Sequence, residues 1–175
     1  MSALRLVALL VALTAGCAHN TASRSADDFA RSLVYVAEAE IAAPPEVVFD
    51  VVADFATYPE WNPWITAIAG EAAPGAKITA DLVLRDRPRT APHLVMEVER
   101  PGRFCWRDRG ATTAFAYGQR CRTFEATTIG TRFRVELLIA GPYTGLVERR
   151  FGAELQRRLE EETAALKGRV EALAD

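Results

Sequence analysis

Gly145–Ala174 reads GLVERRFGAELQRRLEEETAALKGRVEALA and contains no proline. Leu155, Leu159, Leu166, Val170 and Leu173 recur along it at steps of three, four and seven residues. That spacing lays apolar side chains on one face of an α-helix. The stretch predicts a single amphipathic helix of about 40 Å, with Gly152 as the place where its first part kinks or frays.

Working back from that helix, the chain changes period. Trp64–Ala69, Ala76–Leu84, His93–Glu99, Arg103–Asp108, Gln119–Thr127 and Thr131–Ala140 are short runs rich in β-branched and aromatic residues. Gly70, Pro74-Gly75, Arg87-Pro88, Pro101-Gly102 and Gly130 separate them as turn residues do. Earlier still, Leu33–Ile41 suits a strand that stops at Ala43-Pro44-Pro45. Prolines are tolerated in the first turn of a helix, where the amide groups lack partners anyway. Glu46–Asp54 then carries Val47, Val48, Val51 and Val52 at helical spacing, and Phe55–Trp61 makes a second short helix ended by Asn62-Pro63. One strand, two short helices, six strands and a long helix describe an α+β domain with the helix laid across an antiparallel sheet. The fold is expected to begin near Ser32.

The first sixteen residues read differently. Arg5 is the only charge of a short leader, and Leu6–Leu13 is an apolar run of eight residues. As a helix that run spans about 12 Å, too short for a bilayer core of about 30 Å, so residues 1–16 are expected to be a secretory signal peptide. Thr14-Ala15-Gly16-Cys17 resembles the bacterial lipobox, which implies lipidation of Cys17; the alternative is a plain signal peptide cut after Ala18. Ala18–Arg31 is polar and small-residue-rich, and residues 17–31 read as a tether whose flexible part spans roughly 20 Å. Residues 32–175 form the domain. The expected location is outside the cytoplasm: a periplasm-facing lipoprotein anchored by its lipid, most naturally in the outer membrane.

Composition narrows the functional classes. The 175 residues are 50% hydrophobic and 25% charged, with 21 Lys+Arg against 23 Asp+Glu and a net charge of −2. Those are globular values for one domain, and without a basic excess a nucleic-acid partner is not expected. Ser2, Ser23, Ser25 and Ser32 all lie at or before the first strand, so a serine triad inside the fold is excluded. His93 is the only histidine after the tether, and no CxxC or HExxH spacing occurs, so no metal site is expected. No glycine-rich phosphate loop appears, and no cofactor is expected. Acid–base groups remain as tools for an enzyme: Asp108, Tyr35, Tyr117, Asp81 and Glu97.

The words of the sequence add to this order. Ile41–Asp50 (IAAPPEVVFD) and Asp54–Trp64 (DFATYPEWNPW), with Pro101–Trp106 (PGRFCW), Gly130-Thr131-Arg132 and Ala165-Leu166-Lys167, resemble the START-like or SRPBCC superfamily over residues 33–173. Its bacterial members include polyketide cyclase/dehydrase-type proteins. The resemblance implies a helix-grip fold, in which a seven-stranded curved antiparallel sheet wraps a long C-terminal helix around an elongated apolar cavity. It also implies binding of lipids, quinones, polyketides or other apolar molecules. No catalytic motif is shared across the family. The leading expectation is carriage or sensing of a hydrophobic or amphipathic small molecule by a monomer. The alternative is a cyclase or dehydratase acting on a polyketide or aromatic substrate.

Strand alternation says which side chains would face such a cavity. Thr131, Phe133, Val135, Leu137 and Ile139 form the apolar face of the last strand, and a two- or four-residue turn at Gly130 puts Ala126, Phe124, Arg122 and Arg120 beside them. The same alternation turns Phe104, Trp106, Asp108, Tyr35, Ala37, Ile78, Ala80, Leu82, Leu84, Leu94, Met96 and Val98 inward. The candidate ligand-binding residues are therefore Tyr35, Leu82, Met96, Trp106, Asp108, Arg120, Arg122, Phe124 and Phe133. The resemblance adds Trp61 and Trp64, whose segment closes one end of the cavity in the family. The aromatics read equally as core. Arg120, Arg122 and Asp108 sit either at the cavity mouth or with Asp108 paired to an arginine inside, where the arginines would grip a carboxylate or phosphate. Arg85, Arg87 and Arg89 read as a solvated hairpin tip or as contacts to anionic lipid head groups. Cys105 and Cys121 fall on the outward face of neighbouring strands, either bridged or as two free thiols.

Overall fold

A computed structural model describes residues 22–173. The expected signal peptide and Cys17 fall outside the described residues. Seven strands form one antiparallel sheet: β1 (Ser32–Ile41), β2 (Ile65–Ala69), β3 (Lys77–Leu84), β4 (Arg87–Glu99), β5 (Arg103–Asp108), β6 (Tyr117–Thr127) and β7 (Gly130–Ala140). Their spatial order is β1-β7-β6-β5-β4-β3-β2, so hairpins run consecutively from β2 to β7 and β1 closes back on β7. α1 (Pro45–Ala53) and α2 (Tyr58–Trp61) occupy the link between β1 and β2, and α3 (Thr144–Glu171) covers the concave face. This is the expected α+β helix-grip fold.

Inner and outer faces follow from the turns. β6 and β7 meet through a two-residue turn, with Thr127 opposite Gly130, so Arg120, Arg122 and Phe124 lie opposite Leu137, Val135 and Phe133. Parity is kept, and all six face α3. Gly130 adopts φ +144°, and a Cβ there would sit 2.1 Å from the Ile41 carbonyl oxygen; only glycine lets β7 begin against the end of β1.

β4 departs from expectation twice. It starts at Arg87, six residues before the predicted His93. Arg87-Pro88 read as a turn, but residues 87–92 are in the ladder with β3. The other side of residues 87–91 has no ladder partner, so the missing amide proton of Pro88 is harmless, while the Pro92 carbonyl accepts from Arg109 N at 2.9 Å. The turn is Arg85-Asp86, both with positive φ, which is the two-residue hairpin geometry. The second departure is a register shift between Val95 and Glu97. The bulge returns Val95 to the core and turns Met96 to the convex face, where it packs with Cys105 and Cys121. Leu94, also expected inward, is buried outside the main core as well. A one-residue insertion flips faces locally.

α3 runs unbroken through Gly152. A Cβ at Gly152 would approach the Tyr35 hydroxyl to 2.9 Å, so this glycine brings the helix down onto β1 instead of kinking it. Phe49, Phe55, Phe104, Phe124 and Phe133 fill the space between α1 and the sheet, with ring centroids 5.2 to 6.2 Å apart across the Phe49, Phe104 and Phe124 contacts.

On the convex face Cys105 and Cys121 are directly opposite in the ladder and joined by a disulfide, their Cα atoms 4.2 Å apart. The two cysteines are 16 residues apart in sequence, and closing a loop of that length is worth about 3 kcal/mol. Replacing both with alanine is expected to lower the unfolding free energy by that amount in urea titrations; an unchanged midpoint would count against the bridge. The chain before β1 lies against the same face. Ser23 N donates to Glu97 Oε1 (2.6 Å) and Arg24 N to Gln119 Oε1 (2.8 Å), while the Arg24 guanidinium stacks 4.1 Å over Phe29.

Candidate functional site

A cavity of about 1080 Å³ opens between the concave sheet and the first half of α3. Trp64, Leu82, Leu84, Leu137, Ile139, Phe151 and Leu155 give it apolar walls, and Asp108, His93 and six arginines give it a polar part. Two smaller hollows, about 590 and 390 Å³, lie along the β1 side of the molecule and hold none of the candidate residues. The size of the larger cavity suits a small organic ligand.

Arg120 forms part of the floor and belongs to a buried ion triad. Glu162 on α3 lies 3.0 Å from Arg120 Nη1 and 2.8 Å from Arg122 Nη2, and all three side chains are buried. Each arginine also stacks on an indole, Arg120 at 4.0 Å from the Trp64 ring centre and Arg122 at 4.2 Å from Trp106. Burial would raise the Glu162 carboxyl, but the two guanidinium charges and the hydrogen bond from Arg122 outweigh it and hold the group below its usual range. Burial pulls Arg120 down to about 10, partly offset by Glu162. Both groups are charged at neutral pH.

The arginines were expected at a mouth or beside Asp108, and neither placement holds. They are inside, and their partner is a glutamate on the helix. Arg120 lines the cavity and Arg122 lies behind it. Asp108 sits at the rim with its side chain 45% exposed, Oδ1 3.0 Å from His93 Nδ1. That contact is short but not aligned as a hydrogen bond, because His93 Nδ1 has no such partner among the described residues. Gly118 opposite makes room for the carboxylate, since a Cβ there would lie 2.2 Å from Asp108 Oδ2.

Of the remaining candidates, Trp64 and Leu82 line the cavity. Trp106, Phe124 and Phe133 are buried in the core. Trp61 packs on Tyr58, 4.9 Å between ring centres. Tyr58 donates to the Val52 carbonyl, and burial pushes its hydroxyl up to about 12. Tyr35 is half-buried under Gly152, its hydroxyl pushed up by burial and by Glu148. Met96 is excluded from the concave face by the β4 bulge. Among the acid–base groups, Asp81 accepts from Thr90 at the surface, Glu97 binds Arg103 on the convex face, and Tyr117 donates to Gln119. Of the five, Asp108 alone reaches the cavity.

Sequence reading missed Glu162 and His93. Glu162 lies three residues after Leu159 and four before Leu166, on the apolar stripe itself, and that position was the available signal. His93 is in phase with Val95 and Ala91 on the concave face of β4, a phase hidden by the bulge after Val95.

A family model described as polyketide cyclase / dehydrase and lipid transport matches residues 33–171. No curated protein matches the chain. Among solved structures, the chain is similar to TTHA0849 from Thermus thermophilus, with a TM-score of 0.68 and 18% identity over 82% of this chain and 100% of that one. The Zhui aromatase/cyclase from a Streptomyces species gives 0.68 and 13% over 83% and 96%. A START superfamily protein from Mycobacterium smegmatis gives 0.61 and 20% over 81% and 98%. At these identities the likeness is one of fold.

Proposed function

Because the chain belongs to the polyketide cyclase / dehydrase and lipid transport family, within the START-like fold, we propose that it binds one hydrophobic or amphipathic small molecule in the cavity beneath α3. The observation that carries this reading is the apolar-walled space of about 1080 Å³, which a lipid, quinone or polyketide would fill. Burying an apolar chain there gains about 25 cal/mol per Å². The protein acts as a carrier or sensor, held at a membrane through a lipid on Cys17 and facing the periplasm.

Native mass spectrometry of the protein purified from its own host tests this. The expected result is a stoichiometric apolar molecule that leaves on denaturation. Apo protein from every preparation, with no uptake of added lipid, would overturn the reading.

The His93–Asp108 pair on the cavity wall favours a second reading, a cyclase or dehydratase. Its carboxylate and imidazole would move a proton on an already reactive poly-β-keto chain. Turnover of such a substrate that disappears in His93→Gln while binding persists would establish it.

A further inference from the structure

The rim of the cavity carries an excess of positive charge, five arginines against Asp108. Arg85, Arg87, Arg89, Arg109 and Arg150 all line it. None of these five guanidinium groups has a carboxylate oxygen within 4.0 Å among the described residues. Six arginines away from the cavity, Arg100, Arg103, Arg132, Arg134, Arg157 and Arg169, each hold a carboxylate within 3.2 Å. The chain as a whole is net negative, so this concentration of positive charge runs against its composition.

Placement is as telling as number. Arg87 and Arg89 stand opposite Leu84 and Leu82 in the β3–β4 ladder. They therefore share the concave face with those leucines and with Ala91 and His93. Two guanidinium groups occupy positions where a helix-grip sheet otherwise presents apolar side chains to its interior. The turn that precedes them is fixed to the helix: Arg85 N donates to Glu154 Oε1, and the Arg85 side chain lies 6.0 Å over the Phe151 ring. Arg150 reaches the same space from α3, and Arg109 from the end of β5. At the floor, two arginines share a single glutamate, leaving one more positive charge. Arg120 Nε and Trp64 Nε1 are buried without a hydrogen-bond partner among the described residues, and both belong to cavity-lining side chains.

Resting on the binding function above, we infer that the ligand is an amphipathic anion: an apolar chain lying along Leu82, Leu137 and Phe151, with a carboxylate or phosphate head held by the arginine rim. Guanidinium groups recognise both heads through paired, charge-assisted hydrogen bonds. The like charges gathered on the rim repel one another, and an anionic head relieves that repulsion on binding.

Matched twelve-carbon chains separate head from tail. Calorimetric titration of the full chain with dodecanoate, dodecyl phosphate, dodecanol and dodecyltrimethylammonium, each below its aggregation limit, is the test. Both anions are expected to bind at least tenfold more tightly than dodecanol, and the cation more weakly than either. Arg87→Gln/Arg89→Gln is expected to remove most of that tenfold preference for the anions over dodecanol. Arg150→Gln, on an independent element, reproduces part of the loss should the double variant fail to fold. The ratio of dodecanoate to dodecyl phosphate affinity assigns the head. Dodecanol binding as tightly as dodecanoate would overturn the inference and leave the binding function intact. If no chain binds, both fall. Co-sedimentation with phosphatidylglycerol vesicles in the absence of any binding of the soluble anions would make the rim a membrane contact and also overturn the inference.

Discussion

Replacing Glu162 with leucine lowers the unfolding free energy by about 3–5 kcal/mol, enough to remove a large part of the stability of a domain this size. The substitution adds apolar volume at a core position and would look favourable on hydropathy alone. Its effect comes from Arg120 and Arg122. Both are buried, Arg122 to 1% exposure, and the carboxylate between them is the one counter-ion the described residues supply. Without it two buried guanidinium groups face each other with no counter-charge among the described residues. The triple variant Arg120→Met/Arg122→Met/Glu162→Leu is expected to recover most of the loss, because a buried triad is worth little relative to apolar side chains of similar volume. Urea unfolding followed by tryptophan fluorescence checks both, with Trp64 and Trp106 stacked on the arginines as reporters. A single Glu162→Leu variant as stable as the parent would refute the account of the floor.

Phe104→Ala has a comparable effect for a different reason, about 3–5 kcal/mol. Its ring is fully buried and meets Phe49, Phe55 and Trp106 edge-on, with centroids 6.2, 6.0 and 5.5 Å away. Those three rings come from α1, the turn after it and β5, so one truncation opens a cavity where helices and sheet meet. Surrounding rings are held on three sides and relax little. Phe115→Ala supplies the control. That ring is half exposed and, among the described residues, stacked on Tyr143 alone, and its loss is expected to shift the unfolding free energy by less than about 1 kcal/mol. Equal effects at both positions would show that the aromatic cluster is not the mechanical centre of the fold.

Much of this was legible in the amino-acid sequence. Gly145–Ala174 gave its helix away through leucine spacing, and the alternation along Thr131–Ala140 set the face of β7. A two-residue turn then carried the assignment across to Arg120 and Arg122 without error. What alternation cannot register is an inserted residue, and the bulge after Val95 moved Met96 to the other side of the sheet. A proline misled in the opposite direction, because Arg87-Pro88 looks like a turn unless one knows that this part of the strand has a free edge. The cavity suffered most from this. With β4 cut short at His93, Arg87 and Arg89 read as a surface tip instead of a concave wall. Partner identity was equally hidden: parity brought Arg120 and Arg122 inside, but nothing in strand periodicity names a carboxylate about forty residues away on a helix.

The docking of Ser23 and Arg24 on the convex face decides how the domain can be held. The cavity lies on the opposite side of the sheet, under α3. Anything that grips the chain ahead of Ser23 therefore moors the domain by its back, and the open side is left to meet whatever is being collected or handed over.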